Sequence, residues 1–226
     1  MNHKDGNKQR IKKPWPTKAA MEQIYDNGLW GTTTGAPYYS GSGSHHPDIV
    51  APYINAVTLF LNSFEDPISV CDMGCGDFNI GKQLVPHTKN YEGVDVASNV
   101  IAHNKKMFQK ENLKFHCLDI AVDPLPVADC ALLRQVLQHL SNSEIQSTLN
   151  QLRGYKYVVL TEHLPEGDFV PNKDIISGQG IRLKSQSGLD VLAAPFHFKV
   201  KEARHLLSTR LDKGRGVIET ILYEVY

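Results

Sequence analysis

The chain has 226 residues, enough to bury one substantial core, so one main domain with appendages is expected rather than two equal domains. Its 41% hydrophobic and 21% charged residues exclude a disordered or fibrous chain. The 24 Lys and Arg balance the 24 Asp and Glu, which removes the long-range positive field of most nucleic-acid-binding proteins, so a nucleic-acid partner is not expected.

The sequence carries no signal for secretion or membrane insertion. The polar, basic start MNHKDGNKQR is not followed by an apolar h-region, and no stretch approaches the roughly 18 apolar residues of a membrane span. A cytoplasmic protein without a membrane partner is expected. Its four cysteines lie in or beside apolar runs, where a reduced thiol behaves as a small buried hydrophobe, so disulfides are not expected.

Residues 1–65 are interpreted as an N-terminal leader and cap. Residues 1–18 are basic and lack periodicity, as in a disordered or loosely docked leader. Apolar residues at helical spacing predict one helix over 19–30 and another over 48–64, with Asp48 as its N-cap.

The loop between these two helices combines glycine and serine with aromatic side chains. Trp30 precedes the loop, and Tyr38 and Tyr39 lie inside it, which a plain linker would not need. Two interpretations stay open. Trp30, Tyr38, Tyr39 and Ser42 form a lid that excludes water from a ligand, or the aromatic residues anchor the leader onto the sheet.

From residue 66 to the end, strands alternate with helices, which is typical of a parallel sheet covered by helices on both faces. Strands are predicted at 68–73, 91–96, 113–120, 128–134 and 156–162, and helices at about 78–86, 98–110 and 142–153. The polar stretch at about 163–195 indicates an insertion or lid. The last 30 residues predict a helix flanked by two strands that pair antiparallel. The fold class is therefore α/β, with a doubly wound, mostly parallel sheet, an antiparallel last strand and an N-terminal helical cap.

The first strand runs into the turn of ISVCDMGCGDFNIG, the usual ligand loop of such a sheet. A nicotinamide dinucleotide fingerprint is incomplete, because the third glycine position after Gly74 and Gly76 is Asn79, and Gly81 comes two residues late. A Walker loop is excluded, since no Gly-Lys-Ser/Thr follows. Glycines can also serve a tight turn alone.

Three successive strands end in or beside an acid. Asp72 precedes Gly74 by two residues, Asp95 lies 19 residues after Gly76, and Asp119 ends the third predicted strand. The carboxyl ends of parallel strands meet at one edge, where a carboxylate after the second strand can accept both hydroxyls of a ribose. A buried acid without a partner is costly, which favours a ligand there.

These residues resemble the class I S-adenosylmethionine (SAM) dependent methyltransferases, whose glycine-rich first motif is matched by Val70-Cys71-Asp72-Met73-Gly74-Cys75-Gly76-Asp77. The resemblance covers roughly residues 66–162. It implies the Rossmann-like methyltransferase fold, SAM as cofactor and S-adenosylhomocysteine (SAH) as product, with 66–226 as the SAM-binding domain.

The resemblance also implies roles for single residues. The loop at Asp72, Gly74, Cys75, Gly76 and Asp77 would approach the methionine part of SAM. Asp95 would bind the ribose, Asp119 would meet the adenine amino group beside the amide of Ile120, Val96 would contact the adenine, and Arg134 would lie beside the methionine tail.

No metal site is expected. Cys71 and Cys75 are four residues apart, but the strand alternates faces and turns before the second thiol, so the two do not converge. His45 and His46 have no converging carboxylates.

The class of methyl acceptor is inferred from the sequence patterns that are absent. The segment LLRQVLQHLS after the fourth strand lacks the Asn/Asp-Pro-Pro-Tyr, Pro-Cys and paired-glutamate patterns of enzymes that methylate macromolecules, which leaves methylation of a small molecule or a sugar-like unit at O or N. His139 suits a general base near neutral pH, or it is an ordinary core or capping histidine. Glu162 and His163 follow the fifth strand at the ligand edge, or begin a solvated loop.

Two rival functions stay open. One is a SAM-fold protein that has lost catalysis and serves as a binding or regulatory module. The other is a nicotinamide-dependent oxidoreductase, which the late Gly81 and Asp72 argue against. The sequence does not indicate an oligomeric state.

Overall fold

The structure is a computed structural model that describes residues 15–226. Most of the leader predicted at 1–18 therefore lies outside the described residues. Among the described residues, no helix is both long and apolar enough to span a membrane.

A seven-stranded sheet forms the centre of the described chain. Its strands are β1 (Val70–Met73), β2 (Tyr91–Asp95), β3 (Leu113–Cys117), β4 (Cys130–Arg134), β5 (Tyr157–Leu164), β6 (Val200–Arg210) and β7 (Val217–Val225). Their order in the sheet is β3-β2-β1-β4-β5-β7-β6, and β7 runs antiparallel to both of its neighbours while β1 to β5 are parallel. The predicted α/β class and antiparallel last strand are confirmed.

Strand β1 lies where the order of strands reverses, with β2 on one side and β4 on the other. Val70 is in register with Tyr91 of β2 and with Cys130 of β4, and every residue of β1 is buried. Helices cover both faces of such a sheet, which is why its central strands are continuous apolar runs. The crevice beyond the carboxyl ends of β1 and β4 is the expected ligand position of a doubly wound fold.

The helices agree with the sequence patterns in number and order through β5. They are α1 (Thr17–Asp26), α2 (Pro47–Leu61), α3 (Gly81–Leu84), α4 (Ser98–Met107) and α5 (Asn142–Leu152). Helix α5 has a capping box between Ser141 and Glu144.

Two helix predictions need correction. His46 is the N-cap of α2, so Asp48 is not the cap but lies in the first helical turn, where its charge still complements the helix dipole. The helix predicted at 78–86 is a single α-turn continued by a 3₁₀ turn at Val85–His87, because Phe78 has a φ of 63° and Pro86 lacks an N–H donor.

The helix predicted between the last two strands is wrong, because residues 200–210 form strand β6. Buried Phe198, exposed Lys199 and partly buried Val200 alternate where the strand begins, but residues 201–205 are all exposed. Pairing with β7, rather than an apolar period, therefore accounts for the strand. This pairing satisfies one side of the backbone of β6, which is the edge strand of the sheet, and helix α2 packs against it.

Two hydrophobic clusters cover the sheet. Cys71 and Met73 of β1 belong to the first and Val70 to the second, as expected for alternate residues of one strand. The first cluster also contains Met21 of α1 and Phe196 from the segment before β6, so the N-terminal cap and the residues after β5 share the core of the domain. Cys71, Cys75 and Cys130 are buried free thiols, whereas Cys117 is exposed, contrary to its predicted burial.

Candidate functional site

A cavity of about 480 Å³ lies at the carboxyl ends of the parallel strands, within the size range of small-molecule sites. Its wall is formed by α1, the segment 40–44, the loop after β1, the ends of β2 and β4, and residues 179–184. Thirteen of the predicted site residues line it: Trp30, Ser42, Asp72, Gly74, Cys75, Gly76, Asp77, Asp95, Val96, Asp119, Ile120, Arg134 and His139. Tyr38, Tyr39, Glu162 and His163 are not part of the lining.

The loop after β1 depends on two glycines. Gly74 has a φ of 78° and Gly76 a φ of 53°, a region that side chains rarely tolerate. A Cβ atom at Gly74 would lie 2.4 Å from Val136 Cγ2, and one at Gly76 would lie 2.3 Å from Ser40 Oγ. The backbone of this loop can therefore approach a ligand and its neighbours more closely than a side chain would allow.

Asp95 connects this loop to the end of β2. One carboxylate oxygen accepts the Gly76 N–H at 3.0 Å and the other accepts the Ala97 N–H at 2.9 Å. Burial raises the pKa of Asp95, while the N–H donors of Ala97 and Gly76 oppose the shift. Each oxygen keeps acceptor capacity, so this carboxylate can receive two hydroxyl groups from the cavity.

Asp72 lies below the same loop and is also buried. It accepts a 2.8 Å hydrogen bond from the Tyr91 hydroxyl. Burial raises the pKa of Asp72 to about 7; the Tyr91 hydrogen bond opposes this shift and nearby Asp95 adds to it. A cationic group bound in the cavity would be favoured by this carboxylate.

Asp119 lies two residues beyond the end of β3 rather than inside the predicted strand. One of its carboxylate oxygens accepts the Ala121 N–H at 2.9 Å, and its own N–H donates to Asp123 at 2.8 Å. Val96, Leu118 and Ile120 also line this part of the cavity. An apolar slot with a carboxylate beside it can hold a planar base that carries an amino group.

The segment 40–44 is hydrogen-bonded to the loop after β1. The Asp77 carboxylate accepts the Ser40 N–H at 2.8 Å and contacts His45 Nε2 at 2.6 Å, while the Asp77 N–H donates to Ser40 Oγ at 2.9 Å. The Asn79 amide donates to the Ser44 carbonyl at 2.7 Å. The segment therefore forms a bonded wall of the cavity.

Arg134 at the end of β4 fastens the same segment from the other side. Its guanidinium donates to the Gly43 carbonyl at 2.6 Å and to Ser44 Oγ at 3.3 Å, and it lies 4.9 Å over the ring of Tyr53. The Nε atom is buried and has no hydrogen-bond partner within residues 15–226.

The aromatic residues of the cap fall into two groups. Trp30 lines the cavity, edge-on to Tyr25 at 5.3 Å and tilted against His139 at 5.2 Å. Tyr38 packs on Tyr25 at 6.2 Å, and Tyr39 stacks on the ring of His45 at 4.4 Å. Trp30 thus has the position of a ligand-contacting residue. Tyr38 also packs edge-on against His103 of α4 at 5.6 Å and so joins the cap to the domain, whereas the stacking of Tyr39 on His45 stays within the cap.

A chain of hydrogen bonds fixes the protonation of His139. The His163 N–H donates to Gln138 Oε1 at 3.1 Å, so the amide nitrogen of Gln138 faces His139 Nε2 at 3.3 Å as a donor. His139 Nδ1 then carries the hydrogen and donates to the Gly178 carbonyl at 3.1 Å. Burial lowers the pKa of His139 to about 4, so the ring stays neutral near pH 7.

Glu162 supports the turn that carries His139. Its two oxygens accept the N–H groups of Leu137 and Gln138, each at 3.1 Å. Burial raises the pKa of Glu162 to about 8, against the effect of these hydrogen bonds. His163 Nε2 contacts the Arg215 carbonyl at 2.7 Å outside the cavity. Both residues lie next to the site without entering it.

Several residues of the site carry no sequence signal that the motif analysis used. Gln138 and Arg182 bond to groups about 25 and 40 residues away in the chain. Tyr25 could have been recognised, because it shares a helical face with Met21 and Ile24.

Residues 71–155 match a family model described as a methyltransferase domain. This range contains the loop after β1, the ends of β2 to β4, and helix α5. No protein of curated function matches the chain.

Solved structures share the architecture at low sequence identity. The N-methyltransferase NodS from Bradyrhizobium japonicum WM9, in complex with SAH, is 12% identical with a TM-score of 0.68, and the match covers 91% of this chain and 98% of NodS. Magnesium protoporphyrin IX methyltransferase from Synechocystis PCC 6803, with bound SAM, is 13% identical with a TM-score of 0.57 over 96% and 100% of the two chains. Human N-acetylserotonin methyltransferase, in complex with SAM, is 16% identical with a TM-score of 0.57 over 93% and 60%. These similarities show the fold.

Proposed function

We propose that this chain, which carries a class I SAM-dependent methyltransferase domain, transfers the methyl group of SAM to an oxygen or nitrogen atom of a small-molecule acceptor. The observation that carries the proposal is Asp95. Its carboxylate ends β2 in the wall of the cavity, holds the glycine loop by the Gly76 N–H, and keeps acceptor capacity on both oxygens.

The residues of the cavity fit SAM along its length. Asp95 suits the two ribose hydroxyls, and Asp119 with the apolar Val96 suits an adenine ring and its amino group. Asp72 suits a cationic amino group, and the glycine turn lets the backbone come close to the ligand. SAM supplies, when bound, a methyl group activated by the neighbouring sulfonium.

The protein's own contribution is positioning. A displacement at the methyl group needs an aligned nucleophile and little further chemistry. The residues assigned to SAM do not include Met21, Trp30, His139, residues 179–181 or Lys184, so these lining residues are available to contact the acceptor.

His139 is the residue of this lining that can accept a proton. Its pKa near 4 keeps the ring neutral and makes it a weak base, and its Nε2 atom already accepts the Gln138 amide hydrogen. We therefore propose that His139 orients an acceptor hydroxyl or amine in exchange for the Gln138 hydrogen bond. Glu162 acts through the turn that holds His139 and is proposed as a positioning residue, whereas His163 contributes its backbone N–H to Gln138 and its side chain takes no part.

Macromolecular acceptors are not favoured by the balanced charge, and a small, sugar-like acceptor stays within the proposal. A cytoplasmic location is proposed from the sequence composition. The division near residue 65 into a cap and a SAM-binding domain is likewise proposed from the sequence pattern, and the two parts share one hydrophobic core.

Calorimetric titration with SAM, SAH and NAD tests the cofactor. SAM and SAH are expected to bind and NAD is not. Binding of NAD without SAM or SAH at millimolar levels would refute the proposal and favour the oxidoreductase.

Methyl-labelled SAM incubated with a metabolite extract tests catalysis. A labelled small product would identify the acceptor and the methylated atom together. SAM binding without any labelled product across extracts would favour the inactive binding module instead.

A further inference from the structure

We propose that the acceptor is a ring compound that carries an anionic group, a carboxylate or a phosphate, and that Lys184 binds this group at the mouth of the cavity. The inference rests on the proposed function, because it assigns the acceptor of that transfer.

The charged side chains of the cavity are distributed unevenly. Four carboxylates and Arg134 line the part formed by the strand ends and the loop after β1. The lining residues from α1, the turn after β4 and the segment before Ser185 include apolar Met21, Leu140 and Ile181 beside uncharged polar side chains, and the charged side chain among them is Lys184. Within residues 15–226, these segments contribute no carboxylate to the lining. A cationic acceptor would therefore meet a like charge without a counterion, whereas an anion would find one.

The guanidinium of Arg134 is hydrogen-bonded within the protein, whereas the ammonium group of Lys184 has no such bond among the described residues. The Arg134 guanidinium is bonded to Gly43 and Ser44. Lys184 is exposed and makes no hydrogen bond or ion pair with any residue in the described part of the chain. Its ammonium group keeps three donors for a ligand.

The backbone that presents Lys184 is held in place. Lys184 lies in the 3₁₀ turn Arg182–Ser185. Arg182 is only 2% exposed, and its guanidinium donates to the Leu140 carbonyl at 2.8 Å and to Asn142 Oδ1 at 2.7 Å. Lys173 Nζ donates to the Ser185 carbonyl at 2.8 Å. These bonds attach the 3₁₀ turn to α5 and to the turn after β4, so the backbone at Lys184 is held in a fixed position.

Trp30 supplies the surface for a ring. It lines the cavity with its neighbours Tyr25 and His139 packed against it at 5.3 and 5.2 Å. Aromatic faces and edges attract other rings beyond the effect of buried area alone. A ring beside Trp30 with an acid group toward Lys184 would lie next to His139, the residue proposed to orient the methylated atom.

Fluorescence of Trp30 tests the inference without a known acceptor. The chain has two tryptophans, and Trp15 is 60% exposed, so Trp15→Phe leaves Trp30 as the reporter. The Trp15→Phe protein is titrated with benzoate, benzamide and benzylamine, with and without SAH. The three probes share one ring and differ in charge.

We expect saturable changes in Trp30 emission, with benzoate bound about three- to tenfold more tightly than benzamide and benzylamine weakest. Lys184→Gln should remove the difference between benzoate and benzamide, and Lys184→Arg should keep it. Lys199→Gln is the matched control, since Lys199 is exposed and lies outside the cavity, and this substitution removes the same charge as Lys184→Gln.

Three results would overturn the inference: equal or tighter binding of benzamide or benzylamine, a benzoate preference that survives Lys184→Gln, or no saturable change with any probe. Calorimetry with SAH on the same protein reports the proposed function separately. Failure of SAH to bind would refute that function, while the probe series would still decide the anionic subsite.

Discussion

The aspartates of the cavity are the same residue type in different electrical environments. Asp77 accepts two N–H groups and contacts His45, whereas Asp72 is buried with one tyrosine hydroxyl as donor. Burial outweighs that single hydrogen bond and raises the pKa of Asp72 to about 7. A carboxylate with a high pKa in a cavity is typical of a ligand site, because a bound cation restores its charge.

Asp95→Ala should weaken SAM binding by about 1.5 to 3 kcal/mol, because charged hydrogen bonds to the ribose are lost. Calorimetry measures the change, with far-UV circular dichroism to show that the variant is folded. Asp168→Ala is the control, since Asp168 is exposed and outside the cavity. Unchanged affinity in folded Asp95→Ala would remove the ribose assignment.

Glu162→Gln should flatten the dependence of stability on pH. The pKa of Glu162 is raised from an unfolded value of about 4.3 to about 8, so the folded protein holds a proton that the unfolded chain releases in that range. The free energy of unfolding therefore falls as pH rises through this window in the wild type. Asp72 shifts in the same direction, but it is present in both proteins.

Urea midpoints measured across the window check this difference. The wild-type curve should decline more steeply than that of Glu162→Gln. Glu166→Gln is the control at an exposed position, where the slope should match the wild type. Parallel curves for wild type and Glu162→Gln would contradict the protonated state.

For single residues, the sequence could predict which glycines and aspartates lie at the strand ends, because short motifs act through the local backbone. It could not predict that the Glu162 side chain points toward the turn after β4. Successive side chains of β5 point to opposite sides, and the position of the turn after β4 decides which of them it contacts. Predicting that contact needs the packing of two strands and a turn together.

Among the elements, the segment after β5 is predicted to be an insertion or lid. In the structure, hydrogen bonds of two buried side chains hold it against the rest of the domain. Asn172 donates to the Asp190 and Ala194 carbonyls at 2.7 and 2.8 Å and accepts the Asp190 N–H at 2.9 Å. Arg182 bonds four oxygens of the turn after β4 and α5. These bonds make the segment a fixed wall of the cavity in this structure.

Arg182→Gln should lower the free energy of unfolding by about 3 to 5 kcal/mol, because several buried carbonyl oxygens lose their donor. Urea denaturation measures the loss. Arg210→Gln is the matched control, because Arg210 forms only an exposed 3.6 Å ion pair with Glu166 and should cost no more than about 0.5 kcal/mol. A loss below about 1 kcal/mol in Arg182→Gln would contradict the anchoring role.

Strand β6 shows where local patterns mislead. The run KEARHLL contains good helix formers, and this composition favoured a helix. The hairpin with β7 gives every second backbone group a partner, and tertiary pairing outweighs weak propensities.

At the scale of the whole molecule, the cap and the sheet share one core. Met21 and Ile24 of α1, Leu189 and Phe198 of the segment before β6, and Met73 of β1 belong to one cluster. Removing either appendage would expose apolar surface of the sheet, at roughly 25 cal/mol per Å². The described chain is therefore expected to unfold as one unit.

Coincident urea transitions by tryptophan fluorescence and far-UV circular dichroism would show this cooperativity. Both tryptophans lie in the cap region, while circular dichroism reports helices and sheet throughout. SAM should shift both curves together, by about 2.7 kcal/mol at one hundred times its Kd. A fluorescence transition that precedes the other would mean that the cap unfolds separately.

The sequence by itself determined the α/β class, the position of the glycine turn after β1 and the acids around it, because alternating apolar periods and tight glycine turns act over a few residues. Only the tertiary structure decided which side chains close the cavity. Trp30, His139 and Lys184 come from three distant segments. The contacts that bring these segments together, from Trp30 to His139, from His139 to Gly178 and from Arg182 to the turn after β4, have no local pattern. Long-range hydrogen bonds and shared burial are properties of the packed chain, so they become visible only when the elements are assembled.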